Sequence, residues 1–91
     1  MEIECAFFGP FRDEVGEKTV RWETTAETVG ELVAEIEETY PGLEGRLLDE
    51  DGVVPEISVT LNDTHVQYID GSETAISDGD TLRLTPAVYG G

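Results

Sequence analysis

Apolar and polar side chains alternate residue by residue at the start of the chain. Ile3, Cys5 and Phe7 interleave with Glu2, Glu4 and Ala6, the period-two signature of a strand over Glu2–Phe8 with one face turned to a core. Val20 and Trp22 share one face of a second predicted strand, Lys18–Thr24. The link from Gly9 to Glu17 is punctuated by Gly9, Pro10 and Gly16, and its length predicts a hairpin with a loose loop. The period then changes. Val29, Leu32, Val33, Ile36 and Tyr40 fall on one helical stripe, Glu31, Glu35, Glu37 and Glu38 lie outside it, and Pro41-Gly42 closes the run. Thr28 followed by Glu31 is a capping box, in which each side chain satisfies a free amide at the helix start.

From Leu43 to Pro55 the pattern is irregular, with an apolar trio at Leu43, Leu47 and Leu48 and a turn at Asp51-Gly52. Alternation returns at Ile57, Val59 and Leu61, a third strand that turns at Asn62-Asp63, with His65 and Val66 beginning a short return. Ile76 precedes a turn over residues 77–80. Leu82 and Leu84 mark a last strand, which Pro86 terminates because it lacks an amide donor. One helix packed across a mixed sheet, with a first hairpin and a last strand in the interior, predicts an α+β fold of the β-grasp type. Residues 1–85 would form this domain, and residues 86–91 a flexible tail.

Ninety-one residues make one domain, enough to bury roughly 60–65% of the unfolded chain's surface. The 21 acidic against 5 basic residues give a net charge of -16, a field that repels nucleic acid and anionic lipid and excludes an RNA-binding domain. Acids spread evenly along the chain read as a solvated surface, with a docking face for a basic partner as the alternative. Excess carboxylate with Lys18 as the only lysine points to a high-salt cytoplasm, where a Debye length of ~3 Å at 1 M screens self-repulsion. No apolar run approaches the ~20 residues of a membrane span, and Met1-Glu2-Ile3-Glu4 lacks the features of a signal peptide, so a soluble, cytoplasmic protein is expected. Cys5 is the only cysteine, which rules out an internal disulfide and the four-cysteine cluster of an electron carrier. Its alternating neighbours assign it to the core.

The sequence closes on Gly90-Gly91. Two glycines without side chains can lie extended in a narrow channel and bring a terminal carboxylate to a phosphate that a bulkier end could not approach. Such a tail reads as a reacting group, and the alternative is an ordinary frayed terminus.

Residues 4–9 (Glu-Cys-Ala-Phe-Phe-Gly), Arg12-Asp13, Gly16, the capped helix and Leu61-Asn62 resemble the small sulfur-carrier proteins typified by the small subunit of molybdopterin synthase. So does the closing Asp78-Gly79-Asp80 with Leu82, Leu84, Pro86, Val88 and Gly90-Gly91. The likeness spans the chain. With the acidic surface, it looks most similar to the small ubiquitin-like modifiers of salt-loving archaea. The resemblance implies a carrier that binds no cofactor itself. An activating enzyme would use ATP and Mg to adenylate the Gly91 carboxylate, and sulfur or a target lysine would then displace AMP, giving a thiocarboxylate or an isopeptide bond. The chain would be a co-substrate and not an enzyme.

By the same resemblance Gly90, Tyr89, Val88, Pro86, Phe8 and Arg12 would contact the activating enzyme or another partner, with Arg12-Asp13 as a plain surface pair the alternative. Lys18, the only side-chain amine, or the N-terminal amine would accept self-linkage. Two departures stand out: Ala87 and Tyr89 replace a proline and a small residue, and His65 and Thr85 replace apolar residues of the patch gripped by the large subunit of molybdopterin synthase. Phe8 keeps one element of that patch. A modifier or general sulfur carrier is thereby favoured over a dedicated molybdopterin synthase subunit. A non-covalent interaction domain with incidental glycines is the reading from another class.

Overall fold

The computed structural model describes residues 1–86. Strand β1 (Glu2–Phe7) leads through helix α1 (Pro10–Val15) to β2 (Thr19–Glu23), and α2 (Val29–Thr39) follows. A small hairpin, β3 (Leu48–Asp49) and β4 (Gly52–Val53), precedes β5 (Ile57–Leu61), β6 (Thr64–His65) and β7 (Thr81–Pro86). Single 3₁₀ turns occupy Pro41–Leu43, Val66–Tyr68 and Gly71–Glu73. The main sheet has the order β2-β1-β7-β5-β6. β1 pairs parallel with β7, and the other pairings are antiparallel. A parallel pair needs a long crossover, and the segment containing α2 supplies it. This is the mixed sheet with one main helix that the sequence predicts.

The two periodicities meet in the core. Val29, Leu32, Val33 and Ile36 of α2 are fully buried in one cluster with Ile3, Cys5 and Phe7 of β1, Val59 of β5 and Leu82 and Leu84 of β7. Each large aliphatic side chain removed from water contributes roughly 1.5–3 kcal/mol, so this seam dominates the fold's stability. Tyr40, the last residue of the stripe, is half-buried and stacks edge-on to Phe7 at 6.3 Å between ring centroids.

Gly30 keeps α2 close to the turn over residues 71–73. A Cβ at that position would lie 3.0 Å from the Ser72 carbonyl oxygen.

Three local expectations are corrected and one is extended. The link between the first two strands holds α1 instead of a loose loop: Pro10 occupies its first turn, where a missing amide costs nothing, and Phe11 anchors it in the core. The capping box is half formed. Thr28 Oγ1 accepts from the Glu31 amide at 3.2 Å, but the Glu31 carboxylate accepts from the Glu27 amide at 2.8 Å and not from the amide of Thr28.

Glu35 and Glu37, placed outside the helical stripe, are structural acceptors. Glu35 receives the Trp22 indole at 3.1 Å and the Thr24 hydroxyl at 2.8 Å, and Glu37 receives the Leu47 and Leu48 amides, each at 3.0 Å. Both flank Ile36, so each reaches groups at the core's margin that would otherwise lack a partner. Finally, Pro86 is the last residue of β7, buried and paired with Ile57, not a residue beyond it. Pairing of β1 with β7 ends at Phe7 and Leu84, so Pro86 has a strand neighbour on one side only, where a missing donor is tolerated.

Candidate functional site

Helix α2 covers one face of the sheet, and the side chains that alternate away from it form the other. The register aligns Thr19, Ala6, Arg83, Thr60 and His65 in one row across all five strands. At the end of this face where β7 finishes, Phe8, Gly9, Thr60, Asp63, Arg83 and Thr85 line a shallow depression. Gly9 has φ 59° and ψ -137°, a conformation a side chain would strain, and it turns the chain from β1 into α1 directly after Phe8. The Phe8 amide donates to the Leu84 carbonyl at 3.2 Å, which fixes Phe8 beside the last residues of β7.

Charges along the depression are arranged locally. The Arg83 guanidinium, in the middle of the row, pairs with the Asp63 carboxylate. Asp63 reaches it from the β5–β6 turn, where Asn62 and Asp63 both take positive φ (50° and 72°), as a tight two-residue hairpin demands. The same turn is tied to the start of β7: the Asn62 side chain donates to Asp80 at 2.9 Å and accepts from the Thr81 amide at 2.9 Å. At the other end, where β7 finishes, Lys18 holds its ammonium 5.7 Å from the Phe8 ring centroid, a cation–π contact.

The structure thus brings together Phe8, Lys18 and Thr85 on the open face, whereas Pro86, the next residue of β7, turns to the helix-bearing side. Arg12 stands exposed on α1, and neither it nor Asp13 enters an ion pair among the described residues. His65 is half-buried on the edge strand, where its Nδ1 accepts from the Gln67 amide at 3.4 Å and its ring meets Tyr68 edge-on at 5.9 Å. It is a surface-packed imidazole. Gly91, Gly90, Tyr89, Val88 and Ala87 lie outside the described residues, as does the expected flexible tail that contains them.

Arg83, Thr60 and Asp63 line the same depression and are not among the site residues the sequence suggests. Alternation within β7 puts Arg83 opposite Leu82 and Leu84, a signal that was available. Its neighbours Thr60 and Asp63 follow only from the pairing of β5 with β7.

Cys5 is fully buried, and its thiol is pushed up to about 12, first by burial and then by the carboxylates of Glu35 and Glu4. It offers no thiolate near neutral pH, so sulfur chemistry has no foothold on this side chain. Among the described residues no group of three or more His, Cys, Asp or Glu side chains is placed to hold a metal ion, and no helix is long and apolar enough to cross a membrane.

Comparison with known proteins agrees with this geometry. The model of the ThiS family matches residues 5–91. Small archaeal modifier protein 3 of Haloferax volcanii is 40% identical over 92 residues, covering 100% of both chains. The sulfur carrier protein CysO of Mycobacterium tuberculosis is 33% identical over 79 residues, covering 84% of this chain and 83% of its own. Among solved structures, the solution structure of the Haloferax volcanii HVO 2177 protein superposes with a TM-score of 0.88 at 40% identity, covering 100% of this chain and 87% of that one.

Proposed function

We propose, from the premise that this chain belongs to the ThiS family, that it is a ubiquitin-like modifier and sulfur carrier whose reacting group is the Gly91 carboxylate. The observation that carries this reading is where β7 ends. Held between β1 and β5, β7 ends at Pro86, one residue past Thr85, which shares the depression with Phe8, with five residues ending in Gly90-Gly91 still to follow. Five residues span at most about 18 Å when extended, enough for the carboxylate to enter a partner's channel while the domain stays outside.

In this reading a carboxylate oxygen of Gly91 attacks the α-phosphorus of ATP in an activating enzyme, with Mg balancing the phosphate charge, and pyrophosphate leaves. The resulting acyl-adenylate has an electrophilic carbonyl carbon and AMP as a good leaving group. Hydrosulfide attack there expels AMP and gives a thiocarboxylate; attack by a target lysine amine gives an isopeptide bond. The domain contributes positioning and no acid, base or metal ligand, so the chain acts as a co-substrate. Phe8, Arg12, Pro86, Val88 and Tyr89 form the activating enzyme's contact, and the reactions belong to the cytoplasm, where ATP is available. Lys18, exposed beside Phe8, is the acceptor for self-linkage.

The polar row Arg83, Thr60 and His65 with neighbouring Thr85 favours a modifier or general carrier over the small subunit of molybdopterin synthase. A large subunit gripping this face would have to cover these groups and supply their partners. ATP–pyrophosphate exchange by an activating enzyme from the same cells tests the reading. Exchange should depend on this chain and vanish when Gly90 and Gly91 are deleted. Undiminished exchange with the deletion variant would overturn it and leave a non-covalent interaction domain.

A further inference from the structure

On the helix-bearing side of the sheet, directly where β7 ends, lies a groove of about 510 Å³. Its floor is apolar and buried: Phe11 of α1, Val54, Ile57 of β5 and Pro86 itself. Its rim is polar and exposed. Asp49 and Glu56 offer carboxylates, and the Arg46 guanidinium lies 5.6 Å from the Phe11 ring centroid, held over the groove by a 3.4 Å hydrogen bond from Arg46 Nη1 to the Gly42 carbonyl. An occupant that suits this lining has a flat apolar body and one hydroxyl donor at its tip. A tyrosine ring has both, since its body needs apolar cover and its O–H needs an acceptor.

We propose that this groove is the docking site of the Tyr89 side chain of the same molecule. Reach is sufficient: Tyr89 follows Pro86 by three residues, at most about 11 Å of chain, and Pro86 is part of the groove wall. Ala87 leaves the backbone free to turn back, where a proline would have fixed φ. Tyr89 is the only ring among residues 87–91. Phe11, Val54 and Ile57 cover its faces, Arg46 stacks over it, and Asp49 or Glu56 accepts the phenol proton. Docked in this way, Tyr89 anchors the chain two residues before Gly91. The domain then holds its own tail against its side, and entry into a partner's channel requires release from the groove.

The test is nuclear magnetic resonance on the isolated full chain in molar KCl, without ATP or any partner. Its outcome is therefore separate from the adenylation reading. Cross-relaxation from the Tyr89 ring protons to the Val54 and Ile57 methyl groups is expected. In Tyr89→Ala those methyl resonances should move while those of Val29 and Leu32, on α2, stay in place. A sample mixing labelled and unlabelled chains separates docking within one molecule from docking into a second copy. Absence of the cross-peaks, or methyl resonances unmoved by Tyr89→Ala, would overturn the proposal. Cross-peaks found only between molecules would also overturn it, by assigning the groove to a second copy.

Discussion

Replacing Glu35 with alanine should unlock the edge strand β2 from helix α2. The Glu35 carboxylate accepts from Trp22 Nε1 at 3.1 Å and from the Thr24 hydroxyl at 2.8 Å, and that hydroxyl in turn accepts from the Ala26 amide at 2.9 Å. Thr24 is buried, at 6% exposure, whereas Glu35 and Trp22 are half-buried. Hydrogen bonds to a charged acceptor contribute about 1.5–3 kcal/mol each, and partial access to water brings each toward or below the lower limit. Two such bonds give an expected loss of about 2–3 kcal/mol. For a domain of this size that lowers Tm by roughly 8–24 °C.

Removing one carboxylate also relieves repulsion in a chain of net charge -16. Glu38→Ala serves as the control, because Glu38 is exposed on the same helix and carries the same charge. Equilibrium denaturation in molar KCl, followed by the fluorescence of Trp22, the single tryptophan, reads both variants at a Debye length of ~3 Å. Glu35→Gln, which keeps one oxygen acceptor, should cost about 1 kcal/mol. A Glu35→Ala variant within about 0.5 kcal/mol of Glu38→Ala would mean that the Glu35 carboxylate does not hold β2 to α2.

Alkaline stability should carry the signature of Cys5. Its folded-state pKa, pushed up to about 12 from 9.0, means that between these values the unfolded chain releases a proton the native state retains, so stability falls as pH rises. Cys5 contributes a slope that approaches about 1.4 kcal/mol per pH unit, so the fall should be shallower by that amount in Cys5→Ala, where the raised Tyr40 phenol still contributes; equal slopes in the two proteins would remove Cys5 as a source. Gly30→Ala gains about 1 kcal/mol of helix propensity but sets a Cβ 3.0 Å from the Ser72 carbonyl. A net loss of about 1–2 kcal/mol is expected from the overpacking, and a variant more stable than wild type would mean that the 71–73 turn yields freely. Thermal melting should drop steeply from molar to millimolar KCl as screening is withdrawn, whereas an unchanged melt would reject the high-salt adaptation.

Strands with clean alternation were legible from the sequence because each has one buried and one open face. Ile3, Cys5 and Phe7, then Ile57, Val59 and Leu61, then Leu82 and Leu84 all turn to the core. The stripe of α2 was equally plain. Short elements were not. At six residues α1 gives barely more than one repeat of the helical period, Phe11 and Val15, and its Pro10 was read as loop punctuation instead of a helix start. The two-residue strands β3 and β4 are too short to alternate.

Glu35 and Glu37 lie outside the stripe as the period predicts, but period separates faces and does not show which amide or indole will face a carboxylate across the fold. The candidate site divides in the same way. Gly90 and Gly91 lie outside the described residues; Phe8 and Lys18 meet as neighbours on the open face, but the convergence of Arg83, Thr60 and Asp63 depends on β5 pairing with β7. The groove beside Pro86 draws on α1, β5 and the segment around Arg46, which no local pattern connects.

The proposed reacting group is the Gly91 carboxylate. The most direct test compares tagged full-length protein with a version lacking Gly90 and Gly91, expressed in the native host, on reducing, denaturing gels and by intact mass. Expected are tag-bearing species above the free protein, a form with one terminal oxygen replaced by sulfur, or both, and their disappearance with the deletion. Full-length protein showing neither species, or conjugates that persist without the two glycines, would contradict that assignment.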